Sequence, residues 1–179
     1  MWQPKLTWAD AKRRAQVLQD IRYFFNERSV IEVDTPNLCH GTVTDVHLDA
    51  FSCLSFPAEN DDLLYLQTSP EFSMKRLLAA GYQSIYQIGK AFRYESSGRF
   101  HNPEFTMLEW YRVGFDHFQL LTELDELLQC VLGCQSADKL SYQQVFIDFL
   151  AIDPLACNVA SLKDKLSEFQ IFGDWIKNE

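Results

Sequence analysis

Tyr86-Gln-Ile-Gly-Lys-Ala-Phe-Arg-Tyr-Glu95 and, across a short polar loop, His101-Asn-Pro-Glu-Phe-Thr-Met-Leu-Glu-Trp-Tyr111 decide how this chain is read. Together they predict a strand, a loop and a returning strand. Strand side chains alternate between faces, so Gly89, Ala91, Arg93 and Glu95 share one face, as do Phe105, Glu109 and Tyr111 on the return. Gly89 and Ala91 are expected to leave an open floor beside Arg93. Glu109 interrupts an apolar run, where a buried carboxylate is costly unless paired. A face of this kind suits a small cationic ligand.

Outward from the hairpin, the punctuation of the chain predicts alternating helices and strands. Thr7-Trp-Ala-Asp10 reads as a helix start with a capping box, and Ala15, Leu18, Ile21 and Phe25 recur at helical spacing to about Arg28. Val30-Ile-Glu-Val-Asp-Thr-Pro36 predicts a short strand that stops at a proline, which cannot donate to a ladder. Residues 37 to 63 read as loop with one strand around His47 to Leu54. Leu64-Tyr-Leu-Gln-Thr68 is strand-like, and Ser69-Pro70-Glu71 supplies an N-cap, a proline at the first helical position and an acid in the first turn of a helix reaching Gly81. After the hairpin, Asp116 caps a helix whose stripe is Leu120, Leu121, Leu124, Leu127, Leu128 and Val131, closed by Gly133. Ser141-x-x-Gln144 starts another, Asp153-Pro154 breaks it, and a last helical piece spans about Ser161 to Phe169.

The chain has 179 residues, 47% of them hydrophobic and 14% aromatic, enough for the core of one domain. Its formal charge of −9 leaves no broad basic surface to track a phosphate backbone. The five cysteines, at 39, 53, 130, 134 and 157, include no CxxC pair and read as reduced, largely buried thiols. Met-Trp-Gln-Pro-Lys has no signal-peptide core, and no segment approaches about 18 uninterrupted apolar residues, so the expectation is a soluble cytoplasmic protein with no membrane partner.

The helix and strand ending in Pro36, with Phe92-Arg93-Tyr94-Glu95 through Tyr111, resemble motifs 1 and 2 of the class II aminoacyl-tRNA synthetases, in their lysyl branch. Motif 1 corresponds to about residues 10–36 and motif 2 to about 85–113. Within that branch, Thr42-Val-Thr-Asp-Val-His-Leu48, Thr68-Ser-Pro-Glu-Phe-x-Met-Lys-Arg76 and a motif 1 helix beginning by about Ala9 resemble the paralogues that ligate (R)-beta-lysine to elongation factor P. The resemblance implies an α+β fold, an antiparallel sheet flanked by helices, with residues 1–179 forming the N-terminal part of a catalytic domain incomplete at its C-terminal side. It implies ATP-dependent formation of an aminoacyl adenylate from lysine or beta-lysine, then transfer to a lysine of elongation factor P. It also implies a homodimer through motif 1, with tRNA an unlikely partner.

Residue by residue, Arg93 matches the guanidinium that contacts both substrate carboxylate and α-phosphate, a geometry in which arginine outperforms lysine. Glu95 matches the reader of the adenine amino group, Phe105 the ring stacked on adenine, and His101 a loop residue near the triphosphate; Arg99 is a further phosphate candidate. Glu71 and Glu109 match the carboxylates around the substrate amine, and Tyr111 a hydroxyl beside it.

Plainer readings stand beside these. Arg93 could pair structurally with Glu95 or Glu109; Phe105, Met107 and Tyr111 could be core residues; His101 could be a solvated loop residue. His40, His47 and His117 lack partners at ligand spacing. Glu32 and Asp34 read as solvated strand residues, and Glu123, Asp125 and Glu126 as the wet face of a helix. The family's glycine-rich motif 3, with its adenine-facing arginine and the acids that hold Mg2+, has no match: the seven glycines form no GxGxG. The expectation is therefore about half of a longer ligase, its Mg2+ ligands outside this chain, with little activity alone. A lysyl-tRNA synthetase fragment and a non-catalytic dimerisation or regulatory module are the alternatives.

Overall fold

The computed structural model describes residues 2–54, 63–95, 98, 99 and 101–168, which fall in two compact units, Met1–Gln135 and Ser136–Glu179. The first unit opens with α1 (Trp8–Asn26), whose N-cap Thr7 accepts from the Asp10 N–H at 3.1 Å, as the sequence predicts. Ser29 adopts a left-handed φ of 54°, which lets the Val30 N–H return to the Phe25 carbonyl at 3.0 Å and turns the chain into β1 (Ile31–Glu32).

Between β1 and the hairpin lie β2 (Leu38–Cys39), β3 (Ser52–Leu54), β4 (Leu63–Leu66) and α2 (Glu71–Ala79). The three strands form an antiparallel sheet in the order β2-β4-β3, of which β2 carries no sequence signal strong enough to be anticipated. The hairpin is β5 (Ile85–Phe92) and β6 (Glu104–Tyr111), with Gln87 opposite Glu109, Gly89 opposite Met107 and Ala91 opposite Phe105. β1 joins β5 in parallel, Ile31 beside Ile85. The sheet is thus mixed, a correction to the wholly antiparallel expectation: the connection from β1 to β5 runs through β2–β4 and α2, and a crossover of that length can bring the chain back in the same direction. β1 is also shorter than the predicted 30–36.

Alternation divides the hairpin's faces. Tyr86 and Ile88 with Leu108 and Trp110 pack with Phe24, Phe25, Val30 and Leu127, joined by Ile21 and Val131, so α1 and α3 (His117–Leu132) cover that side. The Phe25 ring stacks on Tyr86 at 4.5 Å between centroids and meets Trp110 at 5.6 Å. Gln87, Gly89, Ala91, Phe105, Met107 and Glu109 occupy the opposite face. α3 has the predicted capping box at Asp116 and a left-handed Gly133 at its end. Its stripe is only partly covered: Leu127 is buried, Leu124 and Val131 are half-buried, and Leu120, Leu121 and Leu128 are exposed.

Glu123 corrects the wet-face reading. It is 5% exposed, accepts from Trp110 Nε1 at 3.1 Å, and has Oε2 3.1 Å from Arg112 Nε. That Arg112 nitrogen lacks hydrogen-bond alignment, so the attraction there is chiefly coulombic. The carboxylate lies on the sheet-facing side because Trp110 and Arg112 leave β6 toward α3. Glu32 is exposed, as its solvated reading expects, and is also held: Arg22 grips it through Nε and Nη2, and the Tyr86 hydroxyl donates to it at 3.0 Å. The thiols depart from their buried reading, since Cys53, Cys130 and Cys134 are exposed.

The second unit holds α4 (Tyr142–Leu150), capped by Ser141 on the Gln144 N–H as predicted, and α5 (Val159–Glu168). α5 starts two residues earlier than the sequence suggests, and Phe169 lies outside the described residues. Among the described residues no helix is long and apolar enough to cross a membrane.

Candidate active site

The site is built on the hairpin face turned away from α1 and α3. Gln67 to Glu71, the link from β4 into α2, runs along it: the Phe92 N–H donates to the Gln67 carbonyl at 2.9 Å, and Ser69 Oγ donates to Glu109 Oε2 at 2.8 Å. One short segment therefore touches both the Arg93 end of the hairpin and the Glu109 position.

At the first end, the Arg93 N–H continues the ladder to the Pro103 carbonyl at 2.9 Å. Its side chain is half-buried, with Nε 3.4 Å from the Thr68 carbonyl and the guanidinium 5.2 Å from the centre of the Phe105 ring. Among the described residues no carboxylate forms an ion pair with it, which removes the structural pairing with Glu95 or Glu109. Glu95 does not continue the strand face. Its N–H turns back on the Arg93 carbonyl at 2.9 Å, the strand having ended at Phe92, and the side chain is exposed. Arg99 and His101 are exposed in the loop, where the His101 carbonyl accepts from the Gly98 N–H at 3.0 Å.

At the other end three predicted residues converge. Glu109 accepts from Ser69 through one oxygen and from the Tyr111 hydroxyl, at 2.7 Å, through the other. Burial raises the Tyr111 pKa well above the ordinary phenol value, reinforced by its hydrogen bond to Glu109 and by the charges of Glu109 and Glu71. Tyr111 therefore stays a neutral donor at any ordinary pH. Glu71 begins α2, its N–H donating to Ser69 Oγ at 3.1 Å and its carboxylate bridged to Lys75 one turn on. The helix start is one residue later than predicted, with Pro70 rather than Ser69 at the N-cap. Ser69 instead serves Glu71 and Glu109 together.

The open floor between the ends does not survive. Ala91 is fully buried, and a Cβ on Gly89 would stand 2.8 Å from Gln87 Nε2. Gln87 lies over Gly89, its Oε1 accepting from the Thr35 N–H at 3.1 Å and Thr35 Oγ1 at 2.9 Å. Sequence reasoning passed over Gln87 and Ser69. Alternation alone could have found Gln87, two residues before Gly89 and facing Glu109; the Ser69–Glu109 bond spans 40 residues and left no local trace.

In charge, the face has a guanidinium beside an aromatic ring at one end and two carboxylates with a hydroxyl at the other. That can orient a molecule carrying an anionic and a cationic group, with a flat ring beside the anion. Among the described residues no group of three or more His, Cys, Asp or Glu side chains could hold a metal ion, so no residue here is assigned to Mg2+.

Residues 6–149 match the family model described as tRNA synthetases class II (D, K and N). Curated relatives include the elongation factor P--(R)-beta-lysine ligases of Vibrio parahaemolyticus serotype O3:K6, 54% identical over 93% of this chain and 52% of the relative, and of Vibrio cholerae serotype O1, 52% identical over 90% and 51%. That of Edwardsiella ictaluri is 50% identical over 95% of this chain and 53% of its own length. The chain spans about half the length of the curated relatives it matches.

Proposed function

The chain belongs to the class II tRNA synthetases of the D, K and N type, and from that premise we propose that it carries part of the site of an ATP-dependent ligase. The reaction activates (R)-beta-lysine or lysine and passes it to a lysine of elongation factor P, the acceptor named by the relatives. One observation carries this reading: a half-buried guanidinium beside Phe105, with no carboxylate partner among the described residues, on the same sheet face as the Glu109–Tyr111 pair.

In the first step a substrate carboxylate oxygen attacks the α-phosphorus of ATP. The new P–O bond makes the aminoacyl adenylate, and the bond to the β-phosphate oxygen breaks to release pyrophosphate. Two anions must meet, and Arg93 contacts both, offsetting their repulsion and the charge that grows on phosphate oxygens. Phe105 packs against the adenine, Glu95 accepts from its amino group, and Arg99 and His101 serve the phosphates. Glu95 must swing from its exposed position to do so. Glu71, Glu109 and Tyr111 hold the substrate ammonium groups, whose charge is met by carboxylates that Lys75, Ser69 and Tyr111 already hold in place. Mg2+ would neutralise phosphate charge when bound. In the second step the acceptor lysine's neutral amine attacks the acyl carbon, AMP leaves with the bridging oxygen, and the amine nitrogen loses a proton to form the amide. The homodimer through the α1–β1 region and a cytoplasmic location belong to the same proposal.

The test is run on the protein expressed at the length of its relatives, with labelled beta-lysine, ATP and either elongation factor P or tRNA as acceptor. Label on the protein factor with release of pyrophosphate is the expected result. Label on tRNA alone would replace this reading with a tRNA ligase, and no amino-acid-dependent pyrophosphate release would favour a non-catalytic module.

A further inference from the structure

We infer that Gln87 is a specificity-determining residue, whose side-chain amide donates a hydrogen bond to the carboxylate of the amino-acid substrate. The inference rests on the proposed function and deepens it.

Gln87 is 2% exposed, so its amide has almost no access to bulk water. The Thr35 N–H can only donate, which fixes the atom it meets as the Gln87 oxygen and leaves the nitrogen on the far side. That nitrogen is the atom that would stand 2.8 Å from a Cβ on Gly89. It makes no hydrogen bond among the described residues. It keeps a little solvent access, since Arg112 Nε is the only fully buried side-chain nitrogen or oxygen without a partner among the described residues, so this donor stands open to an acceptor on the site face. The absent Cβ of Gly89 provides the space the amide occupies, and Gln87 faces Glu109 across the hairpin.

Position along the strand selects the acceptor. Glu109 and Tyr111 form the cation-binding end, and Arg93, four residues beyond Gly89, forms the anion-binding end. The amide leans from the first toward the second. A diamino acid lying between them brings only one kind of acceptor, its carboxylate oxygens. Gln87 thus reads the presence of a carboxylate behind the amines and gives no grip on a bare diamine.

Gln87→Glu tests this with little change of shape: the new carboxylate can still accept from Thr35, while the donor over Gly89 becomes an acceptor. In the protein at the length of its relatives, KM for the amino acid in pyrophosphate exchange should rise 10-fold or more, and KM for ATP should stay within about 2-fold. The control is 1,5-diaminopentane, which has both amines and no carboxylate; its inhibition constant should be unchanged or lower. Gln87→Met, which removes the donor without adding charge but also takes the acceptor from Thr35, should give the same separation in whatever fraction folds. If amino acid and diamine weaken together, or neither changes, the residue is structural and the inference fails. A wild-type protein that shows no lysine- or beta-lysine-dependent exchange would overturn the proposed function and this inference with it.

Discussion

Arg93 follows the end of β5 and Phe105 lies on β6, and the guanidinium stands 5.2 Å from the ring centre, a proximity that neither residue's own sequence neighbours announced. What the guanidinium contributes can be separated from its charge. Arg93→Lys keeps the charge and loses the planar fork that can meet carboxylate and phosphate together. In the protein at the length of its relatives it should lower the rate of pyrophosphate exchange by about 100-fold, the scale of losing one aligned donor in a transition state. A loss under 3-fold would leave Arg93 as packing for Phe105. The acidic end was expected from the family resemblance, and Glu71, Glu109 and Tyr111 do converge. Its architecture was not, because Ser69 was read for its helix-starting role alone.

The helices announced themselves through their caps: Thr7, Asp116 and Ser141 each accept the backbone N–H that a cap accepts. Capping is local and survives any tertiary setting, which is why these starts were readable. The α3 surface was not, because Glu123 belongs by periodicity to the polar face and by contact to β6. Removing it tests that contact. Glu123→Ala leaves Arg112 and the Trp110 N–H without their partner in a nearly dry place and should cost about 3 to 5 kcal/mol in urea unfolding. Glu123→Gln still offers Trp110 an oxygen and should cost less. Equal, small losses would mean that water reaches the pair.

Across the larger unit, the Arg22–Glu32–Tyr86 group ties α1, β1 and β5 together and gives stability a pH dependence. Burial, with the hydrogen bond to Glu32, pushes the Tyr86 phenol up to about 12. A raised pKa means the folded state holds the proton more tightly, so this contribution is complete below the unfolded value of about 10 and is lost as pH rises from there to about 12. The Arg22 hydrogen bond holds Glu32 below the usual carboxylate range, so its contribution is present at neutral pH and lost as pH falls below about 4. Thermal midpoints should be level between these limits and fall outside them. Tyr86→Phe should flatten the alkaline fall, apart from what Tyr111 adds with the same sign. An unchanged alkaline limb would exclude Tyr86 as its source.

The sequence alone determined the starts of α1, α3 and α4 and the hairpin with its alternating faces, because these follow from nearest neighbours and from periods of two and 3.6 residues, while the roles at each end of the site came from the family resemblance. Only the tertiary structure decided that Gln87 reaches back to Thr35, that Ser69 holds Glu109, that Glu123 is buried against Trp110, and that β1 runs parallel to β5. Those pairings join residues 13 to 54 positions apart, so they depend on the path of the chain between them and on which polar groups lose their water along it.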